Sequence, residues 1–123
     1  MTLLNLKEQF PSSKISLVFG CGGERDFKKR SIMGRIADKY ADSIYLTDDN
    51  PRNENPLKIR RDIKKGIKKN KIQEIPNRRK AIHESIMKLT TGELLLVAGK
   101  GHEKTQDYGK KKLFFSDQEI ILN

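Results

Sequence analysis

Three short stretches hold most of the residues able to do chemistry: Gly20–Asp26 (GCGGERD), Thr47–Asn53 (TDDNPRN) and Gly99–Tyr108 (GKGHEKTQDY). The first has three glycines and then Glu24, Arg25 and Asp26, with Lys28, Lys29 and Arg30 close behind. Glycines before a helix let the backbone approach a neighbour, and a helix N-terminus favours an anion. The alternative for this stretch is a tight connection with solvated charges. It lacks the last glycine of a dinucleotide fingerprint, where Arg25 stands, and it contains no phosphate-binding G-x-x-x-x-G-K-[ST]. In the second, Asp and Asn can hold a turn and Pro51 stiffens it. Turn chemistry does not account for Arg52, whose planar fork suits a carboxylate. In the third, Glu103 can accept from an ammonium, and His102 is either an acid–base group or a hydrogen-bonding residue.

Together Arg25, Arg52 and Glu103 suit a small zwitterionic ligand. Cys21 reads as a small loop residue, since no activating partner is evident for it. His83 falls on a helix surface, and its distance from His102 does not support a two-His metal site.

These stretches must be carried by ordered elements, and the apolar periodicity supplies them. Thr2–Gln9 reads as a short helix and Ile15–Phe19 as a buried strand. Lys28–Tyr40 is helical, with Ile32, Met33, Ile36, Ala37 and Tyr40 on its apolar stripe. Ile44–Leu46 is a strand. Asn55 and Pro56 start a helix as N-cap and first residue, continued by Leu57, Ile59, Ile63 and Ile67. Ile72–Ile75 is a strand, Arg78–Leu89 a helix, and Leu94–Ala98 the most apolar strand. Lys104–Phe115 reads as two short strands around a turn at Gly109. Ser116 and Glu119 form a capping box for a last helix. This alternation predicts a three-layer α/β/α, Rossmann-like domain. Its sheet is mostly parallel, with a short antiparallel addition near the C-terminus. In such sheets ligands bind beyond the carboxyl ends of the strands, where all three stretches fall.

Length and composition bound the alternatives. The 123 residues suggest one domain, 1–123. The net charge of +10 points to acidic partners such as nucleic acid, phosphorylated ligands or carboxylates. Nucleic-acid surfaces interleave aromatics with basic residues, and aromatics are few here, at 7% with no Trp. A nucleic-acid partner is therefore disfavoured, although a basic α/β nucleic-acid-binding module stays as the alternative. No apolar run is long enough to span a membrane, and no secretory signal opens the chain. One cysteine excludes an internal disulfide framework and a cysteine zinc site, so a cytoplasmic location is expected.

The ordered motifs GCGGERD with Lys28-Lys29-Arg30, TDDNPR with Glu54 and Pro56, IPNRRKAI, AGKGHE with Gln106, and FSDQE resemble one family. They are similar to the C-terminal domain of the Mur ligases that add the third peptide residue in peptidoglycan synthesis. The Asp-Asn-Pro-Arg motif resembles the meso-diaminopimelate-adding type. The resemblance covers the chain from about Ile15 onward. It implies an ATP-dependent ligase that activates the carboxylate of UDP-MurNAc-L-Ala-D-Glu as an acyl phosphate, which the diaminopimelate amine then attacks. Carried over by motif, Arg25, Asp49, Asn50, Pro51, Arg52, Gly99 and Glu103 form the amino-acid site. Arg25 and Arg52 grip carboxylate, and Glu103 holds the distal ammonium. Lys28 and Arg30 are read as facing the nucleotide or the phosphorylated intermediate.

No catalytic residue and no metal ligand is expected within this domain. ATP and magnesium belong to the complete ligase, whose central and UDP-binding domains this sequence does not contain. The chain alone is expected to be inactive, whether it is an excised domain or a non-catalytic remnant.

Overall fold

Thr2 caps the first helix, α1 (Leu3–Gln9), through a reciprocal box with Asn5, and Leu3 and Leu6 are fully buried under it. The computed structural model describes residues 2–23, 27–49, 51–69, 72–98 and 112–116. After α1 the chain alternates: β1 (Ile15–Phe19), α2 (Lys28–Tyr40), β2 (Ser43–Leu46), α3 (Pro56–Lys64), β3 (Ile72–Glu74), α4 (Arg78–Lys88), β4 (Leu94–Ala98) and β5 (Lys112–Ser116). Asn55 and Asn77 cap α3 and α4 through their side chains.

The five strands form one sheet in the order β3-β2-β1-β4-β5, and every pairing is parallel. Register explains the layers. Ile72, Ile44, Leu17, Leu96 and Phe114 are cross-strand partners in one row, pointing to one face. There they pack with Leu3, Leu6, Met33, Ala37, Ile59 and Ile63 from α1, α2 and α3. The next row, Tyr45, Val18 and Val97, points to the other face and packs with Ala81 and Ile86 of α4. Both faces are covered, so the central strands β1 and β4 are largely apolar rather than alternating.

Helices α2 and α3 pack backbone to backbone. A side chain on Gly34 would come within 2.1 Å of the Ile63 carbonyl oxygen, and one on Gly66 within 1.9 Å of that of Ser31. Asp38 of α2 accepts from the Lys68 and Lys69 amides and so ties down the end of this pair.

Two expectations change. The C-terminal strand β5 lies parallel to β4, not antiparallel. A parallel neighbour needs a crossover of a dozen residues or more, and the stretch 99–111 is long enough to be one. Helix α3 stops at Lys64, short of Ile67, because Gly66 turns the chain against α2. The first of the two strands expected in Lys104–Phe115, and the last helix, lie outside the described residues. Among the described residues, no helix is long and apolar enough to cross a membrane.

Candidate functional site at the carboxyl edge of the sheet

Parallel pairing brings the carboxyl ends of β2, β1 and β4 side by side at one edge. The segment after β1 and the segment after β2 are in direct contact there. Thr47 continues the ladder by donating its amide to Phe19 O at 3.0 Å. A side chain on Gly20 would come within 2.1 Å of Thr47 O, and one on Gly23 within 1.8 Å of Pro51 O. These glycines therefore admit the neighbouring loop, where the sequence suggested close approach to a ligand.

Arg52 seals this contact. Its Nη1 donates to Gly23 O at 2.5 Å. Its backbone sits in the left-handed region at φ +56, the one non-glycine residue there among those described. Such a conformation costs free energy for an L-residue and persists when the surroundings enforce it. Arg52 as a whole is exposed, while Asp49 and Pro51 are half-buried. Arg25, Asn50, Gly99 and Glu103, also expected in the site, lie outside the described residues, as does His102.

The loop that carries Arg52 is fixed at both ends. At its start, Thr47 Oγ1 and the Asp48 amide both donate to Pro76 O, at 2.9 and 3.1 Å. Arg60 of α3, only 8% exposed, donates to Asp48 Oδ1 and, at 2.6 Å, to Glu74 Oε2 of β3. Burial alone would lower the Arg60 pKa, but the bonds to Glu74 and Asp48 raise it above its ordinary value. Burial likewise pushes Glu74 up, yet Lys64 and Arg60 hold it below the usual carboxylate value.

At its far end, Glu54 donates its amide to Pro51 O at 3.1 Å. Its carboxylate is gripped by both terminal nitrogens of Arg30, at 2.7 and 2.8 Å. Arg30 Nη1 also donates to Asp62 of α3 at 3.0 Å. The Glu54 hydrogen bond, chiefly, raises the Arg30 pKa against the opposing effect of burial.

Arg30 corrects the sequence reading. At 1% exposure, and turned toward two carboxylates, it does not face a nucleotide or a phosphorylated intermediate. The reason is helical phase: positions 30, 33, 34 and 37 share the buried face of α2, while Ile32 is 43% exposed. Lys28 does remain exposed at the start of α2. Phe27, beside it, is 60% exposed, with Arg30 Cζ and Lys58 Nζ each 5.6 Å from its ring.

Sequence reasoning assigned no role to Arg60 or Glu74. Arg60 was detectable, since it stands between the core residues Ile59 and Ile63 of α3. Arg78, the first residue of α4, brings both terminal nitrogens to 3.5 Å from Ala98 O, where the third stretch begins. Cys21 is buried against Met33, with Sγ 3.4 Å from Sδ, which agrees with a packing role. Among the described residues no His/Cys/Asp/Glu group could hold a metal ion.

Comparison with known proteins gives concordant matches. A family model described as "Mur ligase, glutamate ligase domain" matches residues 1–101. A protein of Rickettsia montanensis named UDP-N-acetylmuramoyl-L-alanyl-D-glutamate--2,6-diaminopimelate ligase is 56% identical over 109 residues, covering 89% of this chain and 23% of its own length. Its namesake in Buchnera aphidicola subsp. Baizongia pistaciae is 52% identical over 120 residues, covering 97% and 24%. A solved structure titled as a ligase of that name matches with a TM-score of 0.75 at 35% identity, over 94% of this chain and 25% of that one. The chain thus spans about a quarter of the length of the curated relatives it matches. Nothing in these matches supports a nucleic-acid partner.

Proposed function

The chain belongs to the Mur ligase family by its glutamate ligase domain, and from that membership we propose that it binds the incoming amino acid of an ATP-dependent amide-bond ligase. In this reading the ligase joins meso-diaminopimelate to UDP-MurNAc-L-Ala-D-Glu in the cytoplasm, for peptidoglycan synthesis. The observation that supports it best is the placement of Arg52. A guanidinium fork is held at the carboxyl edge of the sheet by a strained backbone and a bond to the adjoining loop.

In this role Arg52 and Arg25 pair with carboxylate, and Glu103 takes the distal ammonium. Asp49, Asn50, Pro51 and Gly99 complete the amino-acid site carried over by motif. The crevice between β1 and β4 is where ligands bind in open α/β sheets, because the chain leaves these strands in opposite directions.

Activation of the acid by ATP and magnesium is assigned to other domains of a complete ligase. The sequence has no phosphate-binding loop, and Arg30 is turned to carboxylates rather than to a phosphate. What this chain contributes is selection and orientation of the amine. A charge-assisted hydrogen bond is worth about 1.5–3 kcal/mol, so losing the distal carboxylate contact costs roughly 10–100-fold in affinity.

The test is an NMR titration of the chain with meso-diaminopimelate and, separately, with L-lysine. Diaminopimelate is expected to shift the amides of residues 49, 50, 52 and 99–103 and to bind at least tenfold more tightly. Arg52→Ala is expected to abolish that preference and leave lysine binding unchanged. Equal preference in wild type and variant would remove Arg52 from the role.

A further inference from the structure

We infer that Glu54 and Arg30 are specificity-determining positioning residues. Their two-pronged ion pair fixes the far end of the Asp48–Glu54 loop, so that Arg52 meets the distal carboxylate of the amino acid. This rests on the proposed reading of Arg52, and it assigns a role to groups that touch no substrate. The geometry carries the argument. Arg30 is buried on α2, and of its two carboxylate partners among the described residues Glu54 is the one beside the loop's end. Asp62 belongs to α3 and is held to the α2–α3 pair whatever the loop does.

From Glu54 the constraint reaches Arg52 in one step, because the Glu54 amide closes a turn onto Pro51 O. That turn contains Arg52, whose φ of +56 must be imposed from outside. Loosening Glu54 lets residue 52 relax toward the ordinary negative-φ region, which swings its side chain away from Gly23 O. The opposite end cannot compensate, since the Arg60–Asp48 pair holds only the start of the loop.

A pair that served stability alone would leave the amino-acid preference untouched by loss of either acid, and that supplies the test. In the 123-residue chain, Glu54→Gln and Asp62→Asn each remove one carboxylate from Arg30 at nearly constant volume. Both are expected to lower the melting temperature. Only Glu54→Gln is expected to cut the preference for meso-diaminopimelate over lysine, by about tenfold, the low end of what losing the distal carboxylate contact costs. Only Glu54→Gln is expected to speed amide hydrogen exchange at residues 52–54, whose turn the Glu54 amide closes. Asp62→Asn should keep the preference within twofold of wild type.

The inference is overturned if the two variants change preference alike, or if Glu54→Gln keeps the wild-type preference. A wild-type chain that does not distinguish the two amino acids refutes the ligand role of Arg52 instead. Hydrogen exchange then still decides the clamp, and unchanged exchange in Glu54→Gln overturns it.

Discussion

Replacing Gly23 by alanine probes the contact on which the edge geometry depends. The added methyl would sit 1.8 Å from Pro51 O, with the Pro51 carbonyl carbon at 2.5 Å, so rotating a side chain cannot relieve the clash. To reach even a tight 3.0 Å, the two backbones must part by about 1.2 Å. That movement would stretch the Arg52–Gly23 hydrogen bond, now 2.5 Å, past any useful length. Overpacking of this kind costs about 1–3 kcal/mol, and because Gly23 does not sit in the left-handed region, the stiffer unfolded chain returns about 0.4–1 kcal/mol of it. A net loss of about 1–2 kcal/mol lowers the melting temperature of a domain this size by roughly 4–8 °C. Thermal unfolding followed by circular dichroism reads this directly. The same variant should show faster hydrogen exchange at the Arg52 amide. A melting temperature within 1 °C of wild type, with unchanged exchange, would show that the two loops do not pack as described.

Two further outcomes follow from the helix pair and from the acidic groups. Gly34→Ala and Gly66→Ala each force α2 and α3 apart and should each cost about 1–3 kcal/mol. The double variant should lose less than their sum, because one separation relieves both clashes, and full additivity in chemical denaturation would contradict this. Glu74 and Asp62 have folded-state pKa values below their ordinary ones, so their contribution to stability is complete above the unfolded carboxylate range and is lost as pH falls through the lowered values. Melting temperature measured from pH 6 down to pH 2.5 should therefore fall on the acid side, and Glu74→Gln should flatten that fall; an unchanged acid limb would exclude Glu74 from it.

The elements were legible because their signals are local. Leu94–Ala98 is an uninterrupted apolar run and Ile15–Phe19 one broken only by Ser16, each ended by glycine, and Asn55-Pro56 is a helix start whose cap and first residue both fit. The carboxyl-edge placement of the first two loops also followed, since it needs only that the strands run parallel. What the sequence hid was partnership. Arg30 reads as one more cation in a basic run, and only the rotation of α2 reveals that it shares a face with Met33, Gly34 and Ala37. Its acceptors stand 24 and 32 residues away, a distance at which no periodicity operates. Gly20 and Gly23 were legible as points of close approach, but what they approach depended on the neighbouring strand. The direction of β5 was misjudged because a turn at Gly109 suggests a hairpin, whereas β5 pairs with β4 as a parallel strand.

The interlocking of residues 20–23 with 47–54 limits how this domain can be re-engineered. If the proposed role holds, a new amino-acid preference cannot be transplanted by swapping the Asp-Asn-Pro-Arg segment alone. The donor's glycine stretch would have to travel with it, together with whatever occupies positions 30 and 60, because each piece is shaped against the others. The transferable unit is a four-part cassette drawn from two loops and two helices, and chimeras cut within it should express as misassembled hybrids rather than as enzymes of altered taste.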